Sequence, residues 1–184
     1  MKIFAETERL LLREFLPTDA HGMFELDSDP EVHRYLGNKP VQSIEQSQEM
    51  IAFIRQQYLD NGIGRWAVIE KATSEFIGWA GLKLVREPIN YHVDFYDVGY
   101  RFIRHYWGQG YATEAAQASV EYGFQVLHLP MLYAIADMRN LASRAVLAKV
   151  GLHHAGIFNY DSVPTAWLEA QRPALETYSA GSFI

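Results

Sequence analysis

The stretch Arg104-His105-Tyr106-Trp107-Gly108-Gln109-Gly110-Tyr111-Ala112-Thr113-Glu114-Ala115-Ala116 constrains this chain more than any other. Residues 91–103 before it read as a strand. After it, small or apolar side chains fall at Ala112, Ala115, Ala116, Ser119, Val120 and Gly123. That is the i, i+3, i+4, i+7 spacing of a helix face. Glu114, Gln117, Glu121 and Gln125 take the opposite side. A buried face of alanine, serine and glycine lets such a helix lie close against a sheet. A helix start leaves four N–H groups without partners and carries the positive end of the dipole. Glycines at 108 and 110 allow a ligand close to the main chain, so the turn suits a phosphate or pyrophosphate. On that reading Trp107, Gly108, Gln109, Gly110, Tyr111, Ala112 and Thr113 form a cofactor-binding segment, with Trp107 either packing on the sheet or shielding the pyrophosphate.

Two other phosphate loops do not fit. No Gly-Lys-Ser/Thr occurs, which excludes the P-loop. The dinucleotide fingerprint needs a third glycine or alanine where Thr113 stands, and an acidic residue where Leu129-Pro130-Met131-Leu132 stands.

At 184 residues, 49% hydrophobic and 14% aromatic, the chain is expected to form one domain with a substantial core. It has no cysteine, which removes disulfides, cysteine-ligated zinc and a cysteine nucleophile, and fits a reducing, cytoplasmic setting. No segment reads as a signal peptide or a membrane span. A formal charge of −6 argues against broad nucleic-acid binding. His153 and His154 would point to opposite faces of a strand and no His-Glu-x-x-His occurs, so no metal site is expected; the Gly-x-Ser-x-Gly of a serine nucleophile is also absent.

Arg9 to Arg13 reads as a first strand, and Thr18 or Asp19 as the cap of a helix carrying Ala20, Met23, Phe24 and Leu26. Asp29-Pro30-Glu31-Val32 restarts a short helix, and Ser43 opens another that closes at Asn61-Gly62. Strands are expected at 64–71 and 75–85, joined as a hairpin, then at 91–103. The glycine turn and a helix to about Val126 follow. A strand at 131–137, a helix at 141–150 capped by Asn140, and strands at 153–159 and 175–179 complete the set. The uneven order implies a mixed sheet in an α/β domain. Residues 156–173 read as a segment able to cover a site or meet a partner chain.

Several pieces together resemble the GNAT N-acetyltransferases, and within them the RimJ/RimL-type branch. They are Thr7-Glu8-Arg9-Leu10-Leu11-Leu12-Arg13, Asp27-Ser28-Asp29-Pro30-Glu31-Val32, Trp66-Ala67-Val68-Ile69, Phe76-Ile77-Gly78, Val98-Gly99-Tyr100, the glycine turn, Asn140-Leu141-Ala142-Ser143 and Lys149-Val150-Gly151-Leu152. The resemblance implies a single GNAT domain over 1–184, with a mixed, mostly antiparallel sheet splayed centrally and flanked by helices. It implies acetyl-CoA in the splay, its pyrophosphate in the glycine turn, and main-chain groups of Phe102 and Ile103 offered to pantetheine. Two positions depart from the family's usual residues: His105 stands where Gln or Arg is frequent, and Asp97 where Glu is common.

Acetyl transfer to an amine needs a neutral nucleophile, so a carboxylate that removes its proton is expected. Asp97 is the candidate base: alternation puts Phe95, Asp97, Gly99 and Arg101 on one face, and an acid in that apolar run is partly desolvated. Pairing with Arg101 is the structural alternative. By resemblance Asn140 lies near pantetheine and Ser143 could protonate the leaving sulfur, although an N-cap and a first-turn residue would look the same. Arg34 and Tyr35 lie where the family's acceptor sits. The expected partner is an amine, either a protein N-terminus or a small molecule, reached by a monomer or homodimer through direct attack in a ternary complex. An acyl-CoA-binding module without turnover is the alternative.

Overall fold

In the computed structural model, residues 1–173 are described. One eight-stranded sheet runs through them, with strands β1 (Ile3–Glu6), β2 (Leu10–Arg13), β3 (Arg65–Glu70), β4 (Phe76–Val85), β5 (Phe95–Phe102), β6 (Met131–Asp137), β7 (His153–Tyr160) and β8 (Val163–Gln171). Their spatial order is β1-β2-β3-β4-β5-β6-β8-β7. Every neighbouring pair is antiparallel except β5 and β6, which are parallel and share one ladder pair, Asp97 with Tyr133. Beyond that pair the two strands diverge, and the expected mixed, centrally splayed sheet is present.

Helices cover both faces. One face carries Trp66, Leu82, Val98 and Leu132, packed under α4 (Tyr111–Glu121) through Ala115 and Ala116. The other carries Ala67 and Ile69 under α1 (Ala20–Ser28), the four-residue α2 (Pro30–His33) and α3 (Ile44–Asn61), with Phe15, Met23, Leu26, Ile51 and Ile54 between. Burying one such side chain stabilises the fold by about 1.5–3 kcal/mol. A last helix, α5 (Leu141–Lys149), joins β6 to β7.

Some sequence expectations are corrected. The strand expected from residue 91 begins at Phe95, because Tyr91 and Asp94 have φ of 64° and 51°, outside the extended region. The helix expected to reach Val126 changes at Tyr122 to a wider π turn, 122–126. Asp19 does not cap α1 with its side chain: its carboxylate accepts from the Leu16 N–H at 2.7 Å and binds the Arg13 guanidinium. Most of residues 156–173 belong to the sheet itself, β8 lying between β6 and β7 and β7 forming its edge. Pro164 and the brevity of Ile3–Glu6 hid β8 and β1 from pattern reading, and Pro164 sits at the start of its strand, where a missing N–H is tolerated. The strand expected at 175–179 lies outside the described residues.

Candidate active site

The glycine turn stands at one end of the splay. Gly108 and Gly110 have φ of 74° and 85°, and a Cβ on Gly108 would meet nothing within 4 Å. The main chain there is open to a ligand. The first intrahelical bond of α4 runs from the Glu114 N–H to the Gly110 carbonyl at 3.1 Å. Main-chain N–H groups from Gly108 to Thr113 therefore have no acceptor among the described residues.

This turn is held from behind by a cluster that sequence reasoning missed. Arg9 donates through Nε to Glu114 at 2.7 Å and through Nη1 to the Gln109 carbonyl at 2.9 Å. Glu114 also accepts from the Thr7 hydroxyl at 2.6 Å and the Arg9 N–H at 3.0 Å. The Arg9 guanidinium lies 4.3 Å from the Tyr111 ring centre, and the Tyr111 hydroxyl donates to Glu70. Burial pushes the Glu114 carboxyl up, but these donors outweigh it and hold it below the usual value. The signal was available, since Arg9 and Glu114 both lie in the motifs that carried the resemblance.

Trp107 does not pack into the sheet. It is 47% exposed, and its Nε1 donates to the Phe102 carbonyl at 2.7 Å. The main-chain groups of Ile103 are also engaged, its N–H with the Ile77 carbonyl at 3.0 Å and its carbonyl with the Tyr106 N–H at 2.9 Å. Because Ile103 bonds toward β4, alternation turns the Phe102 N–H and both main-chain groups of Tyr100 toward the splay. The groups open to a ligand are therefore one residue or more back from Ile103.

Asp97 sits where β5 and β6 part. Its partner is Arg65, not Arg101. Arg65 lies on β3, two strands away, and its guanidinium rests on Gly99, where any Cβ would meet Nη2 at 2.5 Å. It also donates to the Asp97 carbonyl at 2.6 Å. Arg65 binds Asp97 Oδ2, and Oδ1 has no partner among the described residues. Burial pushes the Asp97 carboxyl above its usual range, while Arg65 and Lys83 pull the other way. On β7, burial raises the Tyr160 phenol, and Asp161, Glu87 and Asp97 add to the rise.

On the opposite face Tyr100 spans the splay. Its hydroxyl donates to the Ser143 carbonyl at 2.9 Å and lies 3.1 Å from Ser143 Oγ. Burial raises the Tyr100 phenol to about 12, against the hydrogen bond with Ser143. Asn140 is the N-cap of α5, accepting from the Ser143 N–H at 3.1 Å. The structure thus brings Asn140, Ser143 and β5 together.

Arg34 is exposed, lying 3.7 Å from Glu31 and 5.6 Å from the Tyr35 ring centre. The inward-facing residues of that segment are Val32 and His33, and His33 lies 3.4 Å from Asp27, which itself binds Arg101. No group of three or more metal-ligating side chains occurs among the described residues.

Residues 9–153 match the acetyltransferase (GNAT) domain. An uncharacterised N-acetyltransferase, YoaA, from Bacillus subtilis is 33% identical over 152 residues, covering 83% of this chain and 84% of that protein. A GNAT-family acetyltransferase from Bacillus anthracis superposes with a TM-score of 0.77 at 25% identity, over 94% of this chain and 99% of the other. RimL, a ribosomal-protein alpha-N-acetyltransferase solved with coenzyme A, gives 0.78 at 17% identity, over 92% and 98%. Acetyl-CoA is the acetyl donor of this family, and the open N–H groups and glycines of the turn suit its pyrophosphate. An interrupted sheet, a helix start without a side-chain cap and a matching sequence converge on one conclusion: this chain is an acyltransferase enzyme of the GNAT family.

Proposed function

We propose that the protein moves an acetyl group from acetyl-CoA to a primary amine by direct attack in a ternary complex, within one domain. The observation that carries this reading is the splay of β5 from β6, with unpartnered N–H groups at its far end and a largely buried carboxylate at its fork. Gly108, Gln109, Gly110, Tyr111, Ala112 and Thr113 would hold the pyrophosphate through main-chain N–H groups. Trp107 would flank it, and the Phe102 N–H and Asn140 would line the pantetheine arm. When bound, acetyl-CoA supplies an activated acetyl thioester.

The residues of the chain supply positioning and proton handling. Positioning alone accounts for a large part of such rates. Asp97 Oδ1, raised by burial and free of Arg65, takes the acceptor's ammonium proton directly or through one water. Arg65 keeps the other oxygen fixed. Ser143, oriented by Tyr100 and by its place in the first turn of α5, offers a proton where the thiolate departs. Arg34 and Tyr35 form the rim that the acceptor crosses.

The test is release of CoA thiol from acetyl-CoA with panels of N-terminal peptides and small amines, alongside tryptophan quenching by acetyl-CoA. Release that depends on an amine, and falls in Asp97→Asn and Ser143→Ala, is the expected outcome. Binding unaffected by either substitution and accompanied by no release would leave an acyl-CoA-binding module instead.

A further inference from the structure

We infer that the acceptor side of this site contains an anion-reading subsite built on Arg101, so that the amine acetylated carries a carboxylate or a similar anionic group. The inference rests on the acetyltransferase reading and narrows its substrate class.

Arg101 shares a face of β5 with Asp97 and Gly99, and strand geometry puts its Cα roughly 13 Å from that of Asp97. The two guanidinium groups on this face differ in what they have left to give. Arg65 spends both terminal nitrogens, Nη1 on the Gly81 and Asp97 carbonyls and Nη2 on the Asp97 carboxylate, and so keeps no Nε–Nη2 fork. Arg101 spends only Nη1, on Asp27, and its Nε and Nη2 have no acceptor among the described residues. Its side chain is 21% exposed, about twice the 11% of Arg65. Asp27 fixes one nitrogen, and the Trp79 ring, 5.1 Å from the guanidinium carbon, supports the plane. What remains is the Nε–Nη2 edge, a preset fork matching a carboxylate in two parallel bonds.

A second observation points the same way. His33 is only 8% exposed, yet neither ring nitrogen makes a hydrogen bond among the described residues. Its Nε2 is 3.4 Å from Asp27 Oδ1, the oxygen that Arg101 already holds. Leaving a buried donor unpaired costs about 1–3 kcal/mol. A ligand anion on Arg101 is a group that could use such a donor. A purely cationic acceptor would meet the guanidinium before the buried Asp27, and is disfavoured by like charge.

The experiment compares matched acceptors in the thiol-release assay: α- and ω-amino acids and dipeptides against their carboxamides, with spermidine as a cation lacking any anion. The carboxylate form is expected to exceed its amide at least tenfold in kcat/KM, through KM. Arg101→Gln should erase that preference while changing amides little. Because Arg101→Gln also unpairs Asp27, Arg101→Lys is made beside it; it keeps a positive charge there and should retain part of the preference. Amides or spermidine used as well as the acids, or all acceptors weakened equally by both variants, would overturn the inference. If no acceptor releases thiol, calorimetric titration of the acids into the protein with CoA separates the two readings. Binding lost in Arg101→Gln upholds the subsite while the transfer reading fails; absence of binding overturns the subsite.

Discussion

Asp97 illustrates how one residue's task is set by a neighbour far along the chain. Arg65 fixes one carboxylate oxygen and burial raises the acid, and on the proposed mechanism the other oxygen is the base. Asp97→Asn should lower kcat about 100-fold or more, within the range for lost general-base catalysis, and leave tryptophan quenching by acetyl-CoA unchanged. The sign of the pH dependence follows from the raised acid. Wild-type kcat/KM should climb with pH through a value above the ordinary carboxylate range, and that limb should vanish in the Asn variant. The place of Asp97 within an apolar strand was legible from alternation. Its partner was not: Arg101 is near in sequence, while Arg65 arrives through cross-strand register over Gly81 and Gly99. The inward turn of His33 was hidden for the same reason, since Arg34 beside it carries the more conspicuous charge.

At the scale of elements, α4 was the clearest feature in the sequence, and its glycine turn is where spacing put it. The clamp behind the turn makes two predictions. Glu114→Gln should destabilise the protein by about 2 kcal/mol at neutral pH, the order of the lost charge-assisted hydrogen bonds at a largely buried carboxylate. Glu114 is held below its ordinary value, so its contribution is full above that value and is lost as pH falls through the lowered one. Melting temperatures of wild type and variant should therefore differ at pH 7 and converge as acidification takes the pH below that lowered value. Gly110→Ala places a side chain in the left-handed region, costing about 1–2 kcal/mol locally. It should raise KM for acetyl-CoA with little change in kcat once saturated. Less legible was β8, because a proline near the start of a run argues for an edge, whereas here the strand starts at that point and then runs into the interior of the sheet.

Across the whole molecule, the mixed splayed sheet was read from motif order, while the identity of the strands beside the splay depended on pairings distant in sequence. The architecture makes a prediction for hydrogen exchange. Amides of β3 and β4, paired on both sides, should be protected with or without ligand. The Phe102 amide and those from Gly108 to Thr113 should exchange quickly in the free protein and slow on addition of acetyl-CoA. The single rung between β5 and β6 has a mechanical consequence. Five strands on one side and three on the other form two plates riveted at one point, and on the proposed placement a long thin donor lodged in the seam would stitch them along its length. Each round of transfer would then unpick that seam when the spent donor leaves, which would tie the rate of product departure and the stiffness of the frame to the same few main-chain groups.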